Sequence, residues 1–309
     1  MDSTRNALAA TAFLAAAVRA DESARDEPLI TDPFAERLAG DEGRRLLADA
    51  SAATGQPPAE IVIRTRFFDE ALRDAQAGGV SQVVIVAAGM DARAYRLTWP
   101  AGTTVYEVDQ PAVIAAKDQR LAGERPRCRR VTVGVDLADD WPKELRRQGF
   151  ITSDRTAWLV EGLLQYIDEP AVETLFARID ALSAPGSVLL YNVIGKTLLE
   201  APFMQATRRY MRQLGAPWTF GTDTPAALIE GRGWNAEVTD VGEVGTRWHR
   251  WDHPVVPLDV PGVPRGYFVV ATKGLRSAHD HRPPQDDDPA NRAGDGRGGD
   301  RPSGDGARG

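Results

Sequence analysis

Four apolar runs in this chain each end on a residue suited to holding a polar ligand. Gly89 follows the β-branched run at residues 83–88, Asp109 ends 103–108, Asp136 follows 130–135, and Glu161 follows 157–160. A glycine after a buried run lets the backbone turn approach a ligand closely. Asp109 lies about twenty residues past Gly89, a spacing at which an acid can accept hydrogen bonds from both hydroxyls of a ribose. A carboxylate suits that task because it only accepts, and takes two donors at once. Asp136 could bond an adenine amino group while the adjacent Leu137 packs on the ring. Gly89 stands alone, without the Gly-x-Gly-x-x-Gly pattern that seats a pyrophosphate at a helix start. That counts against a nicotinamide dinucleotide and favours a nucleoside without phosphates. Taken singly, Gly89 is equally a plain tight turn, and Asp109 has the less favoured alternative of an exposed strand-end acid. The joint arrangement is more specific than any member. Only one of Glu107 and Asp109 is expected on the ribose, with Glu107 turned to the opposite face.

These residues converge only if the runs are parallel strands. Between the runs lie amphipathic stretches at 111–123, 141–148 and 170–183. Strands separated by helical connections imply a doubly wound, mostly parallel sheet, because each crossover needs a helix to return the chain. Three helices are expected first, over 3–20, 32–50 (with Asp32 as cap before Pro33) and 57–77, stopped by Gly78-Gly79. In the third, Ile61, Thr65, Phe68 and Leu72 share a face with Arg64 beside it. A helix over 197–214, outside the alternation, suggests a lid at about 197–222; a short helix over 224–231 and strands at 236–241 and 267–272 complete an α/β core spanning 80–274. Residues 1–79 form a helical part of the same domain. The stretch 275–309, poor in apolar residues, is expected to be a disordered tail.

A formal net charge of −7 and the lack of a basic stripe exclude a nucleic-acid binder, so the partner is expected to be a small molecule. Cys128 is the single cysteine, so no intrachain disulfide forms and Cys-based zinc sites are excluded. The alanine-rich stretch 7–18 lacks a positive segment before it and is followed by Arg19, Asp21 and Glu22, unlike a signal peptide. No apolar run reaches the ~20 residues of a membrane span. A cytoplasmic protein is expected. His249 and His253 stand four apart, but Pro254 follows and no third ligand is evident; no metal is expected. No Gly-x-Ser-x-Gly elbow supports a hydrolase.

The strings Ala88-Gly89-Met90-Asp91-Ala92-Arg93-Ala94-Tyr95-Arg96-Leu97, Tyr106-Glu107-Val108-Asp109 and Trp158-Leu159-Val160-Glu161-Gly162-Leu163-Leu164 resemble the leucine carboxyl methyltransferase-like family. Within it the chain is most similar to the actinobacterial branch of S-adenosylmethionine-dependent methyltransferases, to which Leu29-Ile30-Thr31-Asp32-Pro33-Phe34-Ala35 and Arg64-Thr65-Arg66-Phe67-Phe68-Asp69 also conform. The resemblance spans roughly residues 1–274. It implies a Rossmann-like class I methyltransferase fold with S-adenosyl-L-methionine as cofactor. By position it implies that Arg64 holds the cofactor's carboxylate, Gly89 is the first-strand glycine, Asp109 takes the ribose, Asp136 and Leu137 the adenine, and Glu161 the amino-acid end. Asp91 and Arg93 fall in the signature loop, where Arg93 could equally brace the loop through an ion pair; Arg19 is a candidate basic residue from the helical region. The expected activity is methyl transfer to a small molecule, with a carboxylate oxygen favoured because an ionised nucleophile needs no general base. A non-catalytic binder of the cofactor or its demethylated product stays open as an alternative. So does, less favoured, a nicotinamide-dependent oxidoreductase.

Overall fold

The computed structural model describes residues 2–55 and 57–274, so the expected tail lies outside the described residues. The order begins α1(Asp2–Ser23), α2(Ala35–Thr54), α3(Glu60–Ala77), β1(Gln82–Val86), α4(Arg93–Arg96), β2(Thr104–Asp109), α5(Pro111–Arg120), β3(Arg129–Gly134), α6(Trp141–Arg147) and β4(Thr156–Val160). A 3-10 turn (Leu164–Tyr166) leads to α7(Glu169–Leu182) and β5(Val188–Ile194). Then come α8(Lys196–Glu200), a second 3-10 turn (Pro202–Met204), α9(Gln205–Gln213), α10(Ala227–Glu230), β6(Trp234–Asp240), α11(Val241–Arg247) and β7(Gly266–Lys273).

The seven strands form one sheet in the order β3-β2-β1-β4-β5-β7-β6. β7 runs antiparallel to both neighbours, while β1 to β5 pair in parallel. The strand order reverses beside β1, which makes the carboxyl edge there the place for a ligand. β1 is buried along its whole length: Val83 and Ile85 pack into one core with α1, α2 and α3, and Val84 and Val86 into a second with α6 and α7. That is why the run is continuously apolar rather than alternating. The sheet therefore has helices on both faces, as the pattern implies.

Several expected boundaries move. The second helix starts at Ala35, not Asp32, and departs from helical geometry at Gly40. Asp32 is no helix cap; it is buried, accepting from Phe34 N at 3.1 Å and pairing with Arg19 Nε at 2.9 Å. The third begins at Glu60. The single helix expected over 197–214 is three pieces, because Pro202 has no N–H to continue the α8 ladder. Met211 of the last piece and Ala216 beyond it form a small satellite core with Tyr166 and Trp218. α11 is an element the alternation does not reveal. It starts where the Asp240 side chain caps the Gly242 and Glu243 amides, just after β6. The alanine-rich α1 lies against the sheet's rim with Ala16 and Ala17 fully buried. Alanine serves there as a strong helix former that lets backbones approach.

Candidate functional site

Register brings the strand ends together. Val86 of β1 pairs with Val108 and Val160, Asp109 with Gly134, and Val160 with Tyr191, so the residues just beyond share one edge. Arg64, Gly89, Asp109, Asp136, Leu137 and Glu161 all line a single cavity of about 1070 Å³ at that edge.

The turn after β1 is strained. Ala87 has φ +54° and Gly89 φ +46°, a region costly for residues with a Cβ. A Cβ on Gly89 would come 2.9 Å from the Ala12 side chain of α1. Glycine is therefore required there by both conformation and proximity. The Gly89 amide donates to Asp109 Oδ2 at 2.6 Å, and the Gln110 amide to Oδ1 at 2.7 Å. These bonds aim the carboxylate and tie the first two strand ends together. Burial pushes the Asp109 carboxyl above its ordinary value, opposed by the Gly89 and Gln110 amides and the charge of Lys117. Asp136 accepts from the Ala138 amide at 2.9 Å in the turn after β3, and Leu137 packs on the second core.

Glu107 does not reach this cavity, but strand alternation is not the reason. Two residues from Asp109, it shares parity with it. Its side chain is fully buried, 2.9 Å from Lys117 Nζ and 2.7 Å from Arg130 Nη2.

On the other side of β1, a network of buried charges forms the cavity wall. Arg64 Nε donates to Glu161 Oε1 at 2.9 Å, and Arg93 Nη1 to Glu161 Oε2 at 2.7 Å. Arg93, 2 % exposed, also pairs with Asp69 Oδ1 at 2.7 Å and with Asp91, and donates to the Thr65 carbonyl at 3.2 Å. Burial alone would raise the acids. The arginines reverse it: Arg93, with Lys117 and Arg96, holds Asp91 at about 2, and Arg93 with Arg64 holds Glu161 below the usual range. Asp69 is lowered in the same way by Arg93 and Arg96, and Arg93 itself is raised further. Arg93 thus braces the loop and is too deeply placed to line the cavity. Arg64 does line it, and its terminal nitrogens make no hydrogen bond among the described residues. Arg19 lines it too, with Nη2 bonded to the Met90 carbonyl at 2.6 Å.

Some bordering residues carry no signal in the strand-end pattern. Asn192 Oδ1 accepts from the Gly162 amide at 2.7 Å, fixing the turn after Glu161. Gln165 borders the cavity; Tyr166, Met211 and Trp218 close a second, largely apolar half, and Phe203, 67 % exposed, stands at its rim. Asp69 was legible in principle: an acid on the apolar face of α3, four residues after Thr65, demands a buried cation. The tryptophan-histidine stretch is no helical zinc pair. α11 ends before it, His249 has φ +55°, and His253 stacks edge-on to Trp251 at 5.5 Å, with Trp251 and His253 bordering the cavity. Among the described residues no cluster of ligands could hold a metal.

The leucine carboxyl methyltransferase family profile matches residues 12–180. A Mycobacteroides abscessus protein named as an S-adenosyl-L-methionine-dependent methyltransferase is 40% identical over 271 residues, covering 81% of this chain and 87% of its own. A Mycobacterium tuberculosis protein of the same name is 42% identical over 258 residues, covering 78% and 77%. Two crystal structures share the fold. One, a Thermobifida fusca protein described as a methyltransferase, has TM-score 0.56 at 20% identity, covering 78% of this chain and 93% of its own. The other, a DUF574 family protein from Streptomyces avermitilis, has TM-score 0.55 at 16% identity, covering 85% and 97%.

Proposed function

Because the chain belongs to the leucine carboxyl methyltransferase family and is an S-adenosylmethionine-dependent methyltransferase, we propose that it methylates a small-molecule acceptor on a carboxylate oxygen. That membership displaces both the oxidoreductase and the non-catalytic reading. When bound, the cofactor supplies a methyl group on a sulfonium, open to in-line displacement. The residues present suit it: a half-buried acid at the end of β2 for the ribose, Asp136 with Leu137 for the adenine, and a guanidinium with undonated N–H groups for the carboxylate.

The cavity volume of about 1070 Å³ is at the upper end of the range for ligand pockets, which leaves room for a small acceptor beside a nucleoside-sized cofactor. The half bounded by Tyr166, Met211 and Trp218 suits an acceptor with an apolar body. The chain's own part in the transfer is alignment and exclusion of water around the reacting centres.

One observation carries the preference for a carboxylate. The acids nearest the cofactor's amino-acid end, Asp91 and Glu161, are ionised but held low by Arg93 and are poor proton acceptors. Burial pushes the Tyr166 phenol up, so it stays protonated near neutral pH. An acceptor that is already ionised needs none of them as a base. A phenol or alcohol acceptor has one specific support, His253, which also borders the cavity. The test is methyl transfer from labelled cofactor to pooled carboxylic acids and, separately, pooled phenols, with the wild type and His253→Ala. The carboxylate reading expects base-labile esters from the acid pool and little effect of His253→Ala. Products from the phenol pool alone, lost in His253→Ala, would reverse it. Among the described residues no helix is long and apolar enough to cross a membrane.

A further inference from the structure

Glu161 is the acid at the cofactor's amino-acid end, yet each of its oxygens is already bonded to an arginine. Both oxygens of Asp91 are likewise bonded by Arg93, one through its backbone amide and one through its guanidinium. The α-ammonium of a bound methionine moiety brings three donors into this neighbourhood and needs acceptors. Gln165 offers one. It is 6 % exposed, and its Oε1 is buried without a hydrogen-bond partner among the described residues. Buried amide oxygens in folded proteins are nearly always paired, so an orphan on a residue that borders a cavity points to a ligand donor.

We propose that Gln165 is a cofactor-recognition residue whose Oε1 accepts a hydrogen bond from the α-ammonium of S-adenosylmethionine. The proposal rests on reading the cavity as the cofactor site. Its placement follows from Arg64. Gln165 and Arg64 both line the main cavity, and both also line a void of about 30 Å³ adjoining it. The cofactor's carboxylate and ammonium are attached to the same carbon. A carboxylate held by Arg64 therefore sets the ammonium down beside the wall that Gln165 shares. The side chain is carried on a fixed support: it sits in the 3-10 turn after β4, and its own carbonyl accepts from the Thr219 amide at 2.7 Å. An uncharged acceptor also suits the place. A third carboxylate would be repelled by Asp91 and Glu161, whereas an amide oxygen bonds the ammonium without adding charge or titrating.

The test is calorimetric titration of the wild type, Gln165→Met and Gln165→Glu with three ligands. S-Adenosylhomocysteine carries both amino-acid groups, decarboxylated S-adenosylmethionine keeps only the amine, and methylthioadenosine has neither. Methionine matches glutamine in length and removes the acceptor; glutamate keeps one. Gln165→Met is expected to weaken the first two ligands by about tenfold or more, the loss of one bond to a charged donor, and methylthioadenosine by less than about twofold. Gln165→Glu is expected to stay within a few-fold of wild type for the first two. Unchanged affinity of Gln165→Met for S-adenosylhomocysteine overturns the assignment. So does an equal loss on methylthioadenosine, or a loss that spares decarboxylated S-adenosylmethionine. Wild-type binding of S-adenosylhomocysteine tests the cofactor reading by itself, so its failure is told apart from failure of Gln165.

Discussion

Replacing Asp109 with alanine probes the centre of the site. Its two oxygens accept from the Gly89 and Gln110 amides at 2.6 and 2.7 Å, which leaves lone pairs directed at the cavity for two ribose hydroxyls. Net bonds to a charged partner contribute about 1.5–3 kcal/mol each before water replaces them, so truncation is expected to cost about 1–3 kcal/mol of binding, roughly 5- to 150-fold in Kd. Alanine also strands the Gly89 amide in a turn already strained at Ala87, so part of any loss comes from the loop. A cycle separates the two effects. S-Adenosylhomocysteine and its 2′-deoxy analogue are titrated calorimetrically into wild type and Asp109→Ala. The wild type is expected to discriminate between them and the variant not, the difference being the coupling between carboxylate and hydroxyl. If Asp109→Ala loses affinity but still discriminates, the ribose is held elsewhere. If its affinity is unchanged, the strand-end reasoning fails outright. A pH series adds a signed check. Burial raises the Asp109 carboxyl, and ligand donors favour its ionised form, so affinity should fall as pH drops through that raised value and binding there should release protons. Asp109→Asn should lose this dependence.

Arg64→Ala should weaken S-adenosylhomocysteine roughly tenfold or more while sparing methylthioadenosine, read by the same titration; equal losses would place the arginine's effect in the fold. Arg93→Met leaves Asp69 and Glu161 facing an apolar stem and should cost about 3–5 kcal/mol in urea unfolding at neutral pH. The acids it pairs with are lowered in the folded state. Their contribution is therefore present above the ordinary carboxylate range and lost as pH falls through the folded values, down to about 2 for Asp91. The gap between Arg93→Met and wild type should accordingly narrow in acid; a constant gap would mean that the arginine acts through packing alone. Gly89→Ala, at φ +46° and against Ala12, should lower both thermal stability and S-adenosylhomocysteine affinity, whereas Gly102→Ala, with open space around it, should leave affinity unchanged.

The strands, their parallel course and the residues at their carboxyl ends were readable from the chain alone, because period, run length and crossover spacing are local properties. β1 was legible as a buried run, and Gly89, Asp109, Asp136 and Glu161 as its neighbours on one edge, since a parallel sheet delivers every strand end to the same side. Tertiary structure decided which charges face which. That Glu161 is shared between Arg64 and Arg93, that Asp32 pairs with Arg19 instead of capping a helix, and that Glu107 is drawn to Lys117 and Arg130 all depend on partners 10 to 97 residues away. The far half of the cavity was illegible for the same reason. Tyr166, Met211 and Trp218 come from a turn, a broken helix and a loop with no common period, and only packing against α1 to α3 and the sheet's edge gathers them round one space.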